Sequence, residues 1–320
     1  MALCAQANHA QGALRHMNLV NRGTSLVAAL FGALSAISYI APGQSEWLAL
    51  ALMILAGIPH GSFDLRVAKT RWQGAQVSLV QIAVLYLVCV FSMSALCVFV
   101  PSLGLSLFLL ISAIHFCEGE SQGTTPPDYL RGLLFGIGSI VLPIGLHLRE
   151  ASEYMAFFVS KSHVEYFQST LSVASQGLAL VMLVIIPLDV VRGNRLSAAV
   201  ERSMCLCAWI LLPPLAGFSV WFIGRHSRQH LEICRAMFDS KRWGIPADFA
   251  AISLLAIVGL LPLALVFEFS DINQLFAASI CLIAGLTLPH MIVSRDLQSV
   301  VALSAHANAQ SHQSAHRRAT

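Results

Sequence analysis

An all-α, multi-pass transmembrane helical bundle of about eight spans is the fold class this chain predicts, and three observations predict it. Of its residues, 57 % are hydrophobic and only 11 % are charged, against the roughly 25 % charged residues of soluble domains. The apolar residues gather into runs near the ~20 residues that cross a bilayer core. Between these runs, Lys and Arg cluster in alternate loops, the pattern of loops that face the cytoplasm. The formal charge of +3 is too small and too dispersed to imply a nucleic-acid partner, so no nucleic acid is expected and the basic residues report topology.

The elements follow in order. Residues 1–23 form a polar leader with Arg15 and Arg22 just before an apolar run over 25–41. No convincing small-residue cleavage site follows, and another apolar run comes at once, so 25–41 reads as a retained first span rather than a secretory signal. The second run, 46–60, ends in Ala56-Gly57-Ile58-Pro59-His60-Gly61-Ser62-Phe63-Asp64, with Arg66, Lys69 and Arg71 beyond it. Further runs cover 77–100, 103–117, 130–148, 174–191, 203–223, 249–267 and 275–294. Pro213-Pro214 removes two amide donors from the middle of 203–223, which is expected to kink or break there. Residues 298–320, rich in Ala, Ser, Gln and His, cannot bury a core and are expected to be disordered. That leaves 24–297 as one multi-span membrane domain. The cysteines, among them Cys89, Cys97, Cys205, Cys207 and Cys281, lie mostly inside apolar runs with no CxxC pair, and so read as small packing residues.

Arg15 and Arg22, then Arg66, Lys69 and Arg71, place the N-terminus and the second loop on the cytoplasmic side. Strict alternation would put 225–247 outside, although it carries Arg225, Arg228, Arg235, Lys241 and Arg242. If the broken 203–223 run does not cross as a straight helix, about eight spans remain and both termini are cytoplasmic, in the cell (inner) membrane. On that topology His60, His115, His226, His230 and His290 all fall near one leaflet.

His226 and His230, four apart, share one face of a helix and can reach one metal ion. An isolated HxxxH is also compatible with two polar residues in a basic loop, and the other three histidines at span ends give the metal reading its weight. Asp64 follows His60 by four residues and Glu118 follows His115 by three. These two and Glu120 are candidates to orient metal-bound imidazoles through the second ring nitrogen, or else interfacial charges where helices leave the membrane. A site of two histidines and one carboxylate also remains open. Phe63, Phe116, Trp221 and Phe222, beside these motifs, are candidate walls of an apolar route, although packing alone would explain them. A membrane zinc protease would want HExxH, which is absent, and a desaturase or hydroxylase would want more histidine boxes. A transporter or a haem- or retinoid-binding membrane protein stays open.

Gly57-Ile58-Pro59-His60-Gly61-Ser62-Phe63-Asp64, the His115-Phe116-x-x-Gly119-Glu120 stretch, His226-Ser227-x-x-His230 and Thr287-Leu288-Pro289-His290-Met291 occur in that order along the chain. Together they resemble the Brp/Blh family of bacterial and archaeal β-carotene 15,15'-dioxygenases, over roughly residues 25–295. The resemblance implies a membrane enzyme that uses Fe(2+) and dioxygen to cleave β-carotene centrally into two molecules of retinal, with catalysis carried by the metal centre. It implies His60, His115, His226 and His230 as iron ligands, and His290 as a further ligand or a contact to substrate. A rhodopsin apoprotein is the implied consumer of the retinal. The chain departs from the family where Gly61-Ser62-Phe63-Asp64-Leu65 replaces the commoner Gly-Ala-x-Asp-His, which removes no implied ligand but alters the surroundings of His60.

Overall fold

The computed structural model describes residues 23–72, 77–121, 126–193, 196–237, 254 and 258–295, and among them there is no β-strand. The polar leader lies almost wholly outside the described residues, as do the 298–320 tail and most of the 249–267 run. Helix α1 is Gly23–Ile40. The second run is α2 (Gln44–Leu52), a π-helical turn (Met53–Gly57), a 3-10 turn (Ile58–Phe63) and α3 (Asp64–Arg71). Then come α4 (Leu79–Phe99), α5 (Pro101–Glu120), α6 (Pro126–Leu146), the short α7 (Leu148–Tyr154) and α8 (Lys161–Gly193). The chain continues through α9 (Leu196–Leu211), α10 (Pro214–Trp221), a second π-helical turn (Phe222–Ser227) and α11 (Arg228–Met237). A 3-10 turn (Leu261–Leu265) and α12 (Ile272–Ser294) complete it.

Among the described residues, seven helical stretches are long and apolar enough to cross a membrane: α1, the run Gln44–Thr70, α4, α5, α6, Gln168–Leu188 within α8, and α12. The chain is therefore a multi-pass helical bundle. The break expected at Pro213-Pro214 is present: α9 stops at Leu211, and Pro213 adopts an extended conformation (φ −51°, ψ 153°) as the cap before α10.

Local chemistry explains several starts. Ser78 accepts from the Gln81 amide at 3.2 Å while the Gln81 side chain accepts from the Ser78 amide at 2.8 Å, a reciprocal cap that opens α4. Asp271 caps α12 through the Asn273 amide at 2.8 Å. Hydrophobicity cannot draw helices together in lipid, so close packing must. Gly132 and Gly136 form a GxxxG face on α6, where a Cβ at Gly136 would stand 2.4 Å from the Cys117 amide nitrogen of α5. Gly285 lets α12 approach the Val90 carbonyl of α4 in the same way, with 2.7 Å left for a Cβ. The outer face of α4 leaves Val80, Val84, Leu85 and Phe91 exposed, as a lipid-facing surface does.

One topological premise needs correction. Arg225 and Arg228 are not loop charges: Arg225 is buried in the π turn and paired with Glu120 and Glu201, and Arg228 pairs with Glu201 and Glu232. Arg202 is no loop charge either: it is buried in α9 with its guanidinium 5.2 Å above the Phe135 ring. Charges inside a bundle pair with one another because the alternative in hydrocarbon is expensive, so they carry little orientation signal.

Candidate metal centre

Helices α4, α5 and α12 pack against one another around the ends of the 44–70 run and of α10, and five imidazoles meet there. His60 comes from the 3-10 turn after Pro59, His115 from the last turns of α5, and His226 from the second π turn. His230 lies on α11 and His290 near the end of α12. Ring centroids of His60 lie 5.5 Å from His226, 5.5 Å from His230 and 4.8 Å from His290. His115 is 5.1 Å from His226 and 5.0 Å from His290, and His230 is 4.8 Å from His290. His115, His226, His230 and His290 are each buried to within a few per cent of full enclosure. The buried Nε2 atoms of His115, His226 and His290 have no hydrogen-bond partner among the described residues, an expensive arrangement for polar atoms unless something else satisfies them.

Asp64 sits against this cluster. The His290 Nδ1–H donates to its carboxylate, at 2.8 Å to Oδ1 and 3.0 Å to Oδ2, and the Tyr86 hydroxyl donates to Oδ2 at 2.8 Å. A carboxylate can only accept, so it fixes the tautomer of His290 and leaves Nε2 as a lone-pair donor toward the pocket. Asp64, His230 and His290 each offer a ligand atom within 4.8 Å of the others. The Cys234 Sγ lies 3.5 Å from His230 Nε2.

The other carboxylates are placed differently. Glu118, three residues past His115, extends beyond the cluster to the end of α12, where its exposed side chain is 3.6 Å from Arg295. It contacts none of the five imidazoles. Glu120 is buried and takes a two-point contact from Arg225, at 2.6 Å and 2.8 Å, plus the Trp221 indole N–H at 3.2 Å. It ties α5, which carries His115, to the turn that carries His226. Tyr86, Arg225 and Glu201 are the supporting residues the motifs did not disclose. Arg225 had one signal, its place beside His226, whereas Tyr86 and Glu201 had none.

A cavity of about 750 Å³ extends from the histidines into the bundle, within the ~300–1,000 Å³ typical of ligand sites. His60, His115, His226, His290 and Asp64 line one end, and most of the remaining wall is apolar. Phe116 and Phe222 line it. Phe63 and Trp221 do not: Phe63 packs with Val67, Ile82 and Val293, and Trp221 stands behind Phe116 and stacks near His226 at 5.4 Å. Leu87 and Phe91 of α4 line the cavity while remaining exposed on the flank of the bundle. His147 and His163 stand apart, bonded to the Trp209 carbonyl and to Ser160.

Fold and site together define a class: a helical membrane protein whose buried polyhistidine cluster faces an apolar cavity. Residues 51–298 match the family model described as Beta-carotene 15,15'-dioxygenase, and the chain belongs to that family. A relative of that name from an uncultured marine bacterium 66A03 is 26 % identical over 196 residues, covering 58 % of this chain and 68 % of the relative. No solved structure matches. Membership supports carotenoid cleavage as the reaction class and β-carotene as the substrate the family name implies.

Proposed function

We propose that the chain is an iron-dependent dioxygenase that cleaves β-carotene at its central double bond into two molecules of retinal. The observation that carries the reading is the convergence of five imidazoles, three with buried Nε2 atoms that lack a partner among the described residues, four of them lining one end of an apolar cavity and His230 packed beside them. Imidazole donors suit iron. His60, His115, His226 and His230 are the proposed ligands, with His290, oriented by Asp64, as a further one. Glu120 serves at one remove, by fixing α5 against the turn that carries His226.

When bound, ferrous iron supplies the redox chemistry that lets dioxygen react with a hydrocarbon. In the balanced reaction the central double bond breaks and each of its carbons takes one oxygen atom of O2 as an aldehyde. The protein's own part is placement. The apolar wall takes up the polyene directly from membrane lipid past Leu87 and Phe91, excludes water, and presents one bond to the histidine end. The proposed setting is the cell membrane, with both termini cytoplasmic and retinal handed on to a rhodopsin apoprotein.

Cells that accumulate β-carotene should lose colour and gain retinal on expressing this chain. The His226→Ala protein should leave them coloured and carry less iron, while His163→Ala should do neither. Unchanged β-carotene alongside well-expressed, iron-loaded protein would overturn the activity. Wild-type iron content in folded His226→Ala would overturn the ligand assignment.

A further inference from the structure

An aromatic pair, Phe276 and Tyr154, lines the cavity toward the end of α12 away from His290. Along α12, Phe276, Ile280, Ile283, Thr287 and His290 all line the cavity, recurring at the three- and four-residue spacing of one helix face. Phe276 and His290 are therefore separated by about 21 Å along that face, at about 1.5 Å per residue. At the Phe276 end the ring of Tyr154 meets it at 5.4 Å and 52°. Tyr154 is buried, and its hydroxyl donates to the buried carboxylate of Glu46 on α2. That bond anchors the ring between α2 and α12, because the phenol has no water to turn to if it swings away. Leu215, also buried, fills the wall beside it.

We infer that Phe276 and Tyr154, pinned by Glu46, form the stop against which the leading ring of the carotenoid seats, and that the depth of this stop selects the bond cleaved. The inference rests on the cleavage reading above and adds the residues that set its register. A hydrocarbon without heteroatoms offers no polar group for positioning, so shape alone must set the register. The side wall discriminates weakly, because the methyl branches recur along the polyene and its double bonds are otherwise alike. A rigid wall at one end converts the length of the cavity into a choice among otherwise similar double bonds. The stoichiometry is unchanged by register: whichever bond lies at the histidines breaks, and its two carbons share the atoms of one O2.

The test is the product pair formed from β-carotene by purified, iron-loaded enzyme in detergent, separated by chromatography. Wild type should give retinal with only a trace of unequal fragments, and that trace is the baseline ratio. Phe276→Ala deepens the cavity, so the ratio of unequal carbonyl fragments to retinal should rise by about tenfold or more, the discrimination that methylene-scale changes in an apolar pocket carry. Tyr154→Phe keeps the ring and removes its anchor, and should give a smaller rise in the same direction. If Phe276→Ala does not accumulate, Phe276→Leu and Tyr154→Phe are read instead. The baseline ratio in every variant that folds would overturn the stop and leave central cleavage standing. No cleavage by wild type would overturn both readings.

Discussion

Replacing Asp64 by Asn asks how much of the proposed metal affinity comes from a residue that need not touch the metal. Asp64 is 2 % exposed and accepts from both His290 Nδ1 and the Tyr86 hydroxyl. The amide keeps one oxygen for His290, and its NH2 turns toward Tyr86, whose hydroxyl rotates to accept. Shape and both contacts survive; the negative charge does not. Hydrogen bonds to charged groups contribute about 1.5–3 kcal/mol and neutral ones about 0.5–1.5. The loss is therefore about 1–1.5 kcal/mol, or roughly tenfold in affinity. Asp64→Ala frees the imidazole altogether and should approach the ~100-fold upper range for such supporting residues. Anaerobic competition for Fe(2+) against a chromogenic chelator measures this without turnover, with circular dichroism confirming the fold. Wild-type iron affinity in both variants would refute the reasoning, as would a larger loss from Tyr86→Phe than from Asp64→Asn.

Glu120→Ala strands one face of the buried Arg225, and breaking a buried pair costs about 3–5 kcal/mol. The exposed Glu118–Arg295 pair is worth at most ~1 kcal/mol, so thermal unfolding in detergent should separate the two variants clearly, and equal midpoints would count against the structural role of Glu120. Single-cysteine labelling in intact cells should find residues 66–72 on the cytoplasmic side and 268–271 on the other. The reverse pattern would reject the proposed orientation.

The bundle was legible because lipid imposes a coarse rule on composition: runs of the right length must be helices, and Pro213-Pro214 must interrupt one. The histidines were legible because each closes an apolar run, where a polar side chain needs a reason. Supporting groups were harder to read. Spacing alone sets Glu118 on the face of His115 and Glu120 well round from it, yet it is Glu118 that leaves the cluster for Arg295 and Glu120 that braces it through Arg225. Only the packing of α5 against the turn at 222–227 decides between them. Phe63 and Trp221 were candidate cavity walls through proximity in sequence, whereas the wall is set by rotation about each helix axis. Tyr86 reaches Asp64 across an interface between helices that no local pattern announces. The charges Arg202, Arg225 and Arg228 resemble loop residues until their carboxylate and aromatic partners, distant in sequence, are seen.

Two of the histidine-bearing stretches owe their course to π turns, Met53–Gly57 ahead of His60 and Phe222–Ser227 around His226. A π turn is geometrically an α-helix carrying one extra residue, so the course of these stretches depends on their residue count. Deleting one residue between 222 and 227 would restore a regular helix, and everything before the deletion would turn by about 100° relative to everything after it. Trp221 and Phe222 would then leave the face they share with His226. In hereditary terms, length is tightly constrained here. Substitutions within these turns can be tried singly by mutation, but a change in residue count alters the whole register at once, and descendants of this chain should vary in length almost anywhere before they vary here.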